Sequence, residues 1–189
     1  MPLSPTVARV PLHTRAIEIR GFKREDGLYD IEGHLVDTKP YEFSVGGNSR
    51  PAGQPVHDMW LRITIDRSLT IVDAAAAMDS IPYVDYCDRI VPAYKLLIGV
   101  VIKAGYFQRI KELLGGVRGC THVTELAGSL ATAAFQSLVD EGVQDPARRP
   151  FQLDRCHSLA LTSPIVARFH PRWYKGGEPV DEAGEGEPG

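Results

Sequence analysis

The hydrophobic period of this chain changes once, near Pro82, from about two residues to about 3.6. The short period puts alternate side chains on opposite faces of a strand, and the long one gathers them on one face of a helix. A chain that alternates first and turns helical later segregates its strands from its helices. The reading is therefore an α+β fold: an N-terminal antiparallel sheet of about four strands packed against three C-terminal helices. At 189 residues the chain can bury such a core in a single domain.

In the strand half, Ala16 to Phe22 alternates through Ile17 and Ile19, and Lys23 to Gly27 is a turn in which Asp26-Gly27 supplies a positive φ. Leu28 to Val36 then pairs back. One of its faces carries Tyr29, Ile31, Gly33 and Leu35; the other carries Leu28, Asp30, Glu32, His34 and Val36, an acidic face that reads as solvated. Asp37 to Pro55 is a long polar loop of the kind used as a lid or binding loop. A second hairpin, His57 to Ala75, turns at Asp66-Arg67-Ser68. Met59, Leu61, Ile63 and Ile65 share its inner face with His57 in phase, while Trp60, Arg62 and Thr64 face away.

In the helical half, Cys87, Ile90, Val91, Tyr94, Leu97 and Ile98 form one stripe on a helix that begins near Pro82 and that Pro92 should kink or divide. Tyr106 to Leu114 is a second helix, stopped by Gly115-Gly116. The third runs from about Thr121 to Val139, and its small residues, Ala127, Gly128, Ala131 and Ala134 among them, predict close helix packing. The domain boundaries expected are an extended arm over 1–14, one α+β domain over 15–175, and a disordered acidic tail over 176–189.

Charge and length narrow the function. Five of the 24 acidic residues fall in the tail, so the rest of the chain carries 19 against 21 basic groups and is close to neutral. No basic cluster is interleaved with aromatics, so nucleic acid is not an expected partner. No apolar run is long enough for a membrane span, and Met1 to Thr14 lacks the order of a signal peptide. With three cysteines and no secretory signal, a disulfide framework is not expected and the cytoplasm is the default compartment.

Chemistry, if there is any, belongs at Gly115-Gly116-Val117-Arg118-Gly119-Cys120-Thr121-His122, where a glycine-rich turn delivers a sulfur and an imidazole to the start of the longest helix. Helix-start N–H groups and the dipole favour a thiolate at Cys120, and Glu125 lies about one turn beyond His122 on the same side. Taken alone, Cys120 also fits an inert packed thiol beside a surface histidine. Cys87 fits the apolar stripe of its helix, and His57 fits a histidine satisfied by a backbone carbonyl. Yet all three cysteines sit within two residues of a His or Asp, and none belongs to a CxxC pair. Thiolate with imidazole suits zinc or iron, so Cys87, Cys120, Cys156, His57 and His122 are the candidate metal ligands.

The runs Arg24-Glu25-Asp26-Gly27-Leu28-Tyr29-Asp30-Ile31, His57-Asp58-Met59, Gly119-Cys120-Thr121-His122, Thr124-Glu125-Leu126, Ala134-Phe135-Gln136 and Cys156-His157 resemble the bacterial proteins grouped as domain of unknown function family 2889. The resemblance spans roughly Arg15 to Tyr174. It implies a single cytoplasmic bacterial domain and no established activity. A more distant architectural likeness is to the U-type iron–sulfur cluster assembly scaffolds. Those begin their site with Cys-Gly-Asp, where this chain has His57-Asp58-Met59.

Three functions are compatible with these residues. One is a zinc or iron site, with bound water or a substrate carbonyl activated if a coordination position is open and with Asp58 or Glu125 carrying the proton. The second is a cysteine-nucleophile enzyme for acyl or thioester substrates: Cys120 attacks, His57 or His122 is the base, and Asp58 or Glu125 orients it. The third is a non-catalytic module that binds a small molecule or a partner. Oligomeric state is not readable from the sequence.

Overall fold

The structure is a computed structural model and describes residues 7–139, 149–150 and 152–176. Most of the expected acidic tail and the first residues of the expected arm lie outside the described residues. The chain divides into two compact units, the second beginning at Gly142.

In the first unit, β1 (Thr14–Lys23), β2 (Tyr29–Thr38), β5 (Pro55–Ile65) and β6 (Ile71–Ser80) form one antiparallel sheet in the order β1-β2-β5-β6. The α+β arrangement read from the sequence is the one observed. Strict alternation decides which face is covered: Tyr29, Ile31, Leu35, Met59, Leu61, Ile63 and Ile65 are all essentially sealed from solvent. β6 runs further than its hairpin pattern suggests, because Ala74 to Ala77 carries no alternation of large side chains to read.

Helix α2 (Thr121–Leu138) lies on β1, β2 and β5 through Val123, Leu126, Leu130 and Ala134, and α1 (Tyr106–Leu114) packs beside it. The expected helix after Pro82 forms instead as 3-10 turns over Asp88–Leu97, packed against β6. Pro92 sits inside this segment and lacks the N–H that an α-helical ladder needs. Its Tyr94 and Leu97 are fully buried.

Close approach of α2 to the sheet depends on a bare backbone at Gly33. A Cβ there would lie 2.7 Å from Leu126 Cδ1 and 2.9 Å from Leu130 Cδ2, both on side chains with no exposed surface to swing into. A methyl in a strand gains back about 0.5–1 kcal/mol of chain entropy, but overpacking of this kind costs about 1–3 kcal/mol. Gly33→Ala should therefore lower stability by about 1 kcal/mol net in urea denaturation. An unchanged midpoint would mean that α2 is not held this close.

The expected loop of 37–55 contains a short hairpin, β3 (Phe43–Val45) with β4 (Asn48–Arg50), turning at Gly46 and Gly47, both at positive φ. Arg50 pins it to the sheet end. Its Nη1 donates to the Pro55 carbonyl (2.8 Å) and Ser80 Oγ (2.9 Å), and its Nη2 donates to the Ile81 carbonyl (2.6 Å).

The second unit has its own small core of Leu153, Leu161 and Val166, with Leu159, Trp173 and Tyr174 packed against it. Its helix α3 (Pro164–Phe169) starts with Pro164 in the first turn and a Ser163 cap that accepts from the Val166 N–H at 3.2 Å.

Candidate metal centre

Sheet register builds half of the site. Arg15 on β1 pairs with Asp37 on β2, and Asp37 pairs with His57 on β5, so a cation, a carboxylate and an imidazole stand side by side in one row. Asp37 is in phase with Tyr29, Ile31, Gly33 and Leu35, which sends a charged side chain to the covered face, where it is only 2% exposed. Such a carboxylate needs partners, and it has them. Arg15 donates Nε to Oδ1 and Nη2 to Oδ2, both at 2.8 Å. His13 Nε2 lies 3.0 Å from Oδ1, and His57 Nδ1 lies 2.9 Å from Oδ2.

Helix α2 brings the other half. Cys120 is its N-cap in extended conformation, and the sulfur makes no capping bond to the helix amides. The turn is held by Tyr94 instead: its hydroxyl accepts from the Cys120 N–H (3.0 Å) and is within 3.1 Å of the Cys120 carbonyl. His122 then stands over His57, with ring centroids 3.8 Å apart and planes tilted by 31°. Its Nδ1 is 3.7 Å from Cys120 Sγ, and its Nε2 is 3.6 Å from Asp37 Oδ2. Glu125 accepts from Arg15 Nη1 at 2.5 Å, tying α2 to β1 on the rim of the same cluster.

The electrostatics are consistent with neutral imidazoles beside a fixed carboxylate. Burial pushes the Asp37 carboxyl up, but hydrogen bonds from Arg15, His57 and His13 together with the Arg15 charge outweigh it and hold the pKa at about 2. Burial lowers the pKa of His57, against the pull of Asp37. Burial also lowers that of His122, helped by the neighbouring His57 and Arg15.

Asp37, His57 and His122 each offer a ligand atom, and these atoms lie within 4.8 Å of one another. Among the described residues this is the group that can hold a metal ion. Of the residues singled out in the sequence, His57, His122 and Cys120 converge here. Asp58 does not: it faces the opposite side of the sheet, 2.6 Å from His34 Nε2, and His34 stacks on Trp60 at 3.7 Å. Asp37 is the carboxylate beside His57. Cys87 lies at the start of the Asp88–Leu97 turns, where its N–H donates to the Tyr83 carbonyl, and it is not part of the group. Cys156 is exposed in the second unit, at the cap of the short His157–Leu159 turn. Sequence reading missed Asp37, although continuing the period of β2 by one more inward residue reaches it.

The profile of the protein family described as "Protein of unknown function (DUF2889)" matches residues 13–136, which contain His13, Arg15, Asp37, His57, Cys120, His122 and Glu125. The chain belongs to the DUF2889 family. No curated protein and no solved structure matches it. The likeness to iron–sulfur scaffolds thus finds no support. The DUF2889 match ends within α2 and leaves the second unit outside it. No helix among the described residues is long and apolar enough to cross a membrane.

Proposed function

We propose that this DUF2889 protein binds one first-row transition metal ion, zinc or iron, through His57, His122 and Cys120, with Asp37 orienting the imidazoles from behind. The gathering of His57 and His122 around Asp37, within 4.8 Å, with Cys120 Sγ 3.7 Å from His122 Nδ1, carries this reading. Both Asp37 oxygens already accept from Arg15, and each has a histidine beside it as well, so the carboxylate is better suited to fixing ligands than to being one. Donation from His57 Nδ1 leaves Nε2 as the free lone pair, an arrangement in which a carboxylate fixes the tautomer of a metal-binding histidine. Three protein ligands leave a fourth position for water or a substrate carbonyl, which suits hydrolysis or carbonyl activation. Glu125, on the rim, is the nearest candidate to carry a proton. The three free thiols suit a reducing compartment such as the bacterial cytoplasm.

Protein purified without a His-tag should carry near-stoichiometric metal by elemental analysis. His57→Ala and His122→Ala should each weaken zinc binding by more than about a hundredfold, while Cys87→Ser and Cys156→Ser leave it unchanged. Absence of saturable zinc or iron binding by the metal-free protein would end this reading.

A second reading is favoured by one line of contacts, Cys120 Sγ to His122 Nδ1 at 3.7 Å and His122 Nε2 to Asp37 Oδ2 at 3.6 Å. It has the order nucleophile, base, orienting carboxylate, as in enzymes that process acyl or thioester substrates. Iodoacetamide separates the two. A ligand sulfur is shielded until a chelator is added, whereas a free nucleophile is alkylated quickly with or without one.

A further inference from the structure

We infer that the cleft between α1 and α2 binds a small carboxylate with an apolar body and holds it beside the centre, whose rim residue Glu125 also lines the cleft. This names the substrate class of the centre proposed above and rests on that reading. The cleft has a volume of about 400 Å³ and is lined by Phe107, Ile110, Lys111, Leu114, Gly128 and, at the end next to the centre, Thr121. That volume is at the small end of ligand sites.

Its shape follows from what the glycines leave out. Gly128, in the middle of α2, is buried, and a Cβ there would come within 3.1 Å of the Phe107 ring that lies over it. Glycine inside a helix is disfavoured, and here its absent side chain is what lets Phe107 stand this close to α2 as a wall of the cleft. At the other end a Cβ on Gly115 would lie 2.4 Å from the Lys111 carbonyl, and Gly116 has φ +62, so both of these lining positions favour glycine. Phe107 is 58% exposed, an aromatic face available to cover a ligand.

The charge of the lining selects the ligand. Glu125 also lines the cleft, but Arg15 already neutralises it at 2.5 Å. Among the described residues no carboxylate pairs with the Lys111 ammonium. The cleft therefore offers apolar walls and one uncommitted positive charge, which matches an anion with a hydrophobic body and disfavours a cation or a sugar.

The test is an amide NMR titration of the metal-free full chain with phenylacetate and its neutral isostere phenylacetamide. Saturable shifts are expected at Phe107, Lys111, Thr121 and Gly128, with phenylacetate about tenfold tighter, the worth of one charge-assisted contact. Lys111→Gln, on an exposed side chain, should erase that preference, and Phe107→Ala should weaken both probes. Shifts located elsewhere, no shifts, or equal affinity for the two probes would overturn the inference. Cys87→Ser, outside the cleft and the centre, should leave the titration unchanged. Retained phenylacetate binding in a protein that takes up no metal would support the cleft while removing the metal centre. Metal uptake without cleft shifts would do the reverse.

Discussion

Asp37→Asn should lower the stability of the metal-free protein by about 2–3 kcal/mol and weaken zinc binding about 10- to 100-fold. The substitution keeps the volume and removes the charge. Arg15, His13 and His57 all direct donors at Asp37, and an amide can accept at only one of its two positions while presenting an N–H₂ to the others. Breaking a fully buried pair costs about 3–5 kcal/mol. The lower figure applies here because the Arg15 side chain is 29% exposed and water recovers part of its solvation. The loss of affinity has a separate origin: without the carboxylate, His57 can rotate or change tautomer and withdraw Nε2. Urea denaturation at neutral pH and a zinc titration measure the two effects independently. Wild-type stability in Asp37→Asn would show that the row Arg15–Asp37–His57 is not a buried ion network at all.

How much of this was legible in the sequence depends on the range of the signal. Alternation is local, so the sheet, its covered face and the in-phase position of His57 could be read directly, and so could the helices from Tyr106 and Thr121. Pro92 warned that its segment would not be a regular helix, but the choice of 3-10 turns depends on packing against β6. The β3–β4 hairpin had a local mark in Gly46-Gly47, hidden by the polar character of its flanks. The centre is a different matter. Asp37 lies 20 residues from His57 and 22 from Arg15, and register alone makes them neighbours. A carboxylate at the end of an apolar phase reads as the first loop residue unless the strand is known to continue. Cysteines drew attention because soft ligands are rare, yet only Cys120 stands beside the imidazoles of the described group. What collects the site is an ion-paired aspartate, which no composition statistic would single out.

Acidification should destabilise the metal-free protein through two contributions with different onsets. His57 and His122 have folded pKa values below the ordinary 6.5. The unfolded chain therefore takes up protons first, so the stability these residues lend is complete above pH 6.5 and is lost as pH falls from there through their folded values. Asp37 is depressed from 3.8 to about 2, so its contribution is complete above pH 3.8 and disappears as pH falls toward 2. That second contribution amounts to about 2 kcal/mol. Urea midpoints measured from pH 8 to pH 2 should begin to fall near pH 6.5 and go on falling below pH 3.8 toward pH 2. A His57→Gln/His122→Gln variant should lose the upper step and keep the lower one. Bound zinc competes with protons for the same two imidazoles, so in the loaded protein the upper step should move to lower pH by an amount that grows with free zinc concentration. If added metal leaves that step where it is, protons and zinc are not sharing His57 and His122, and the stacked pair serves only the fold.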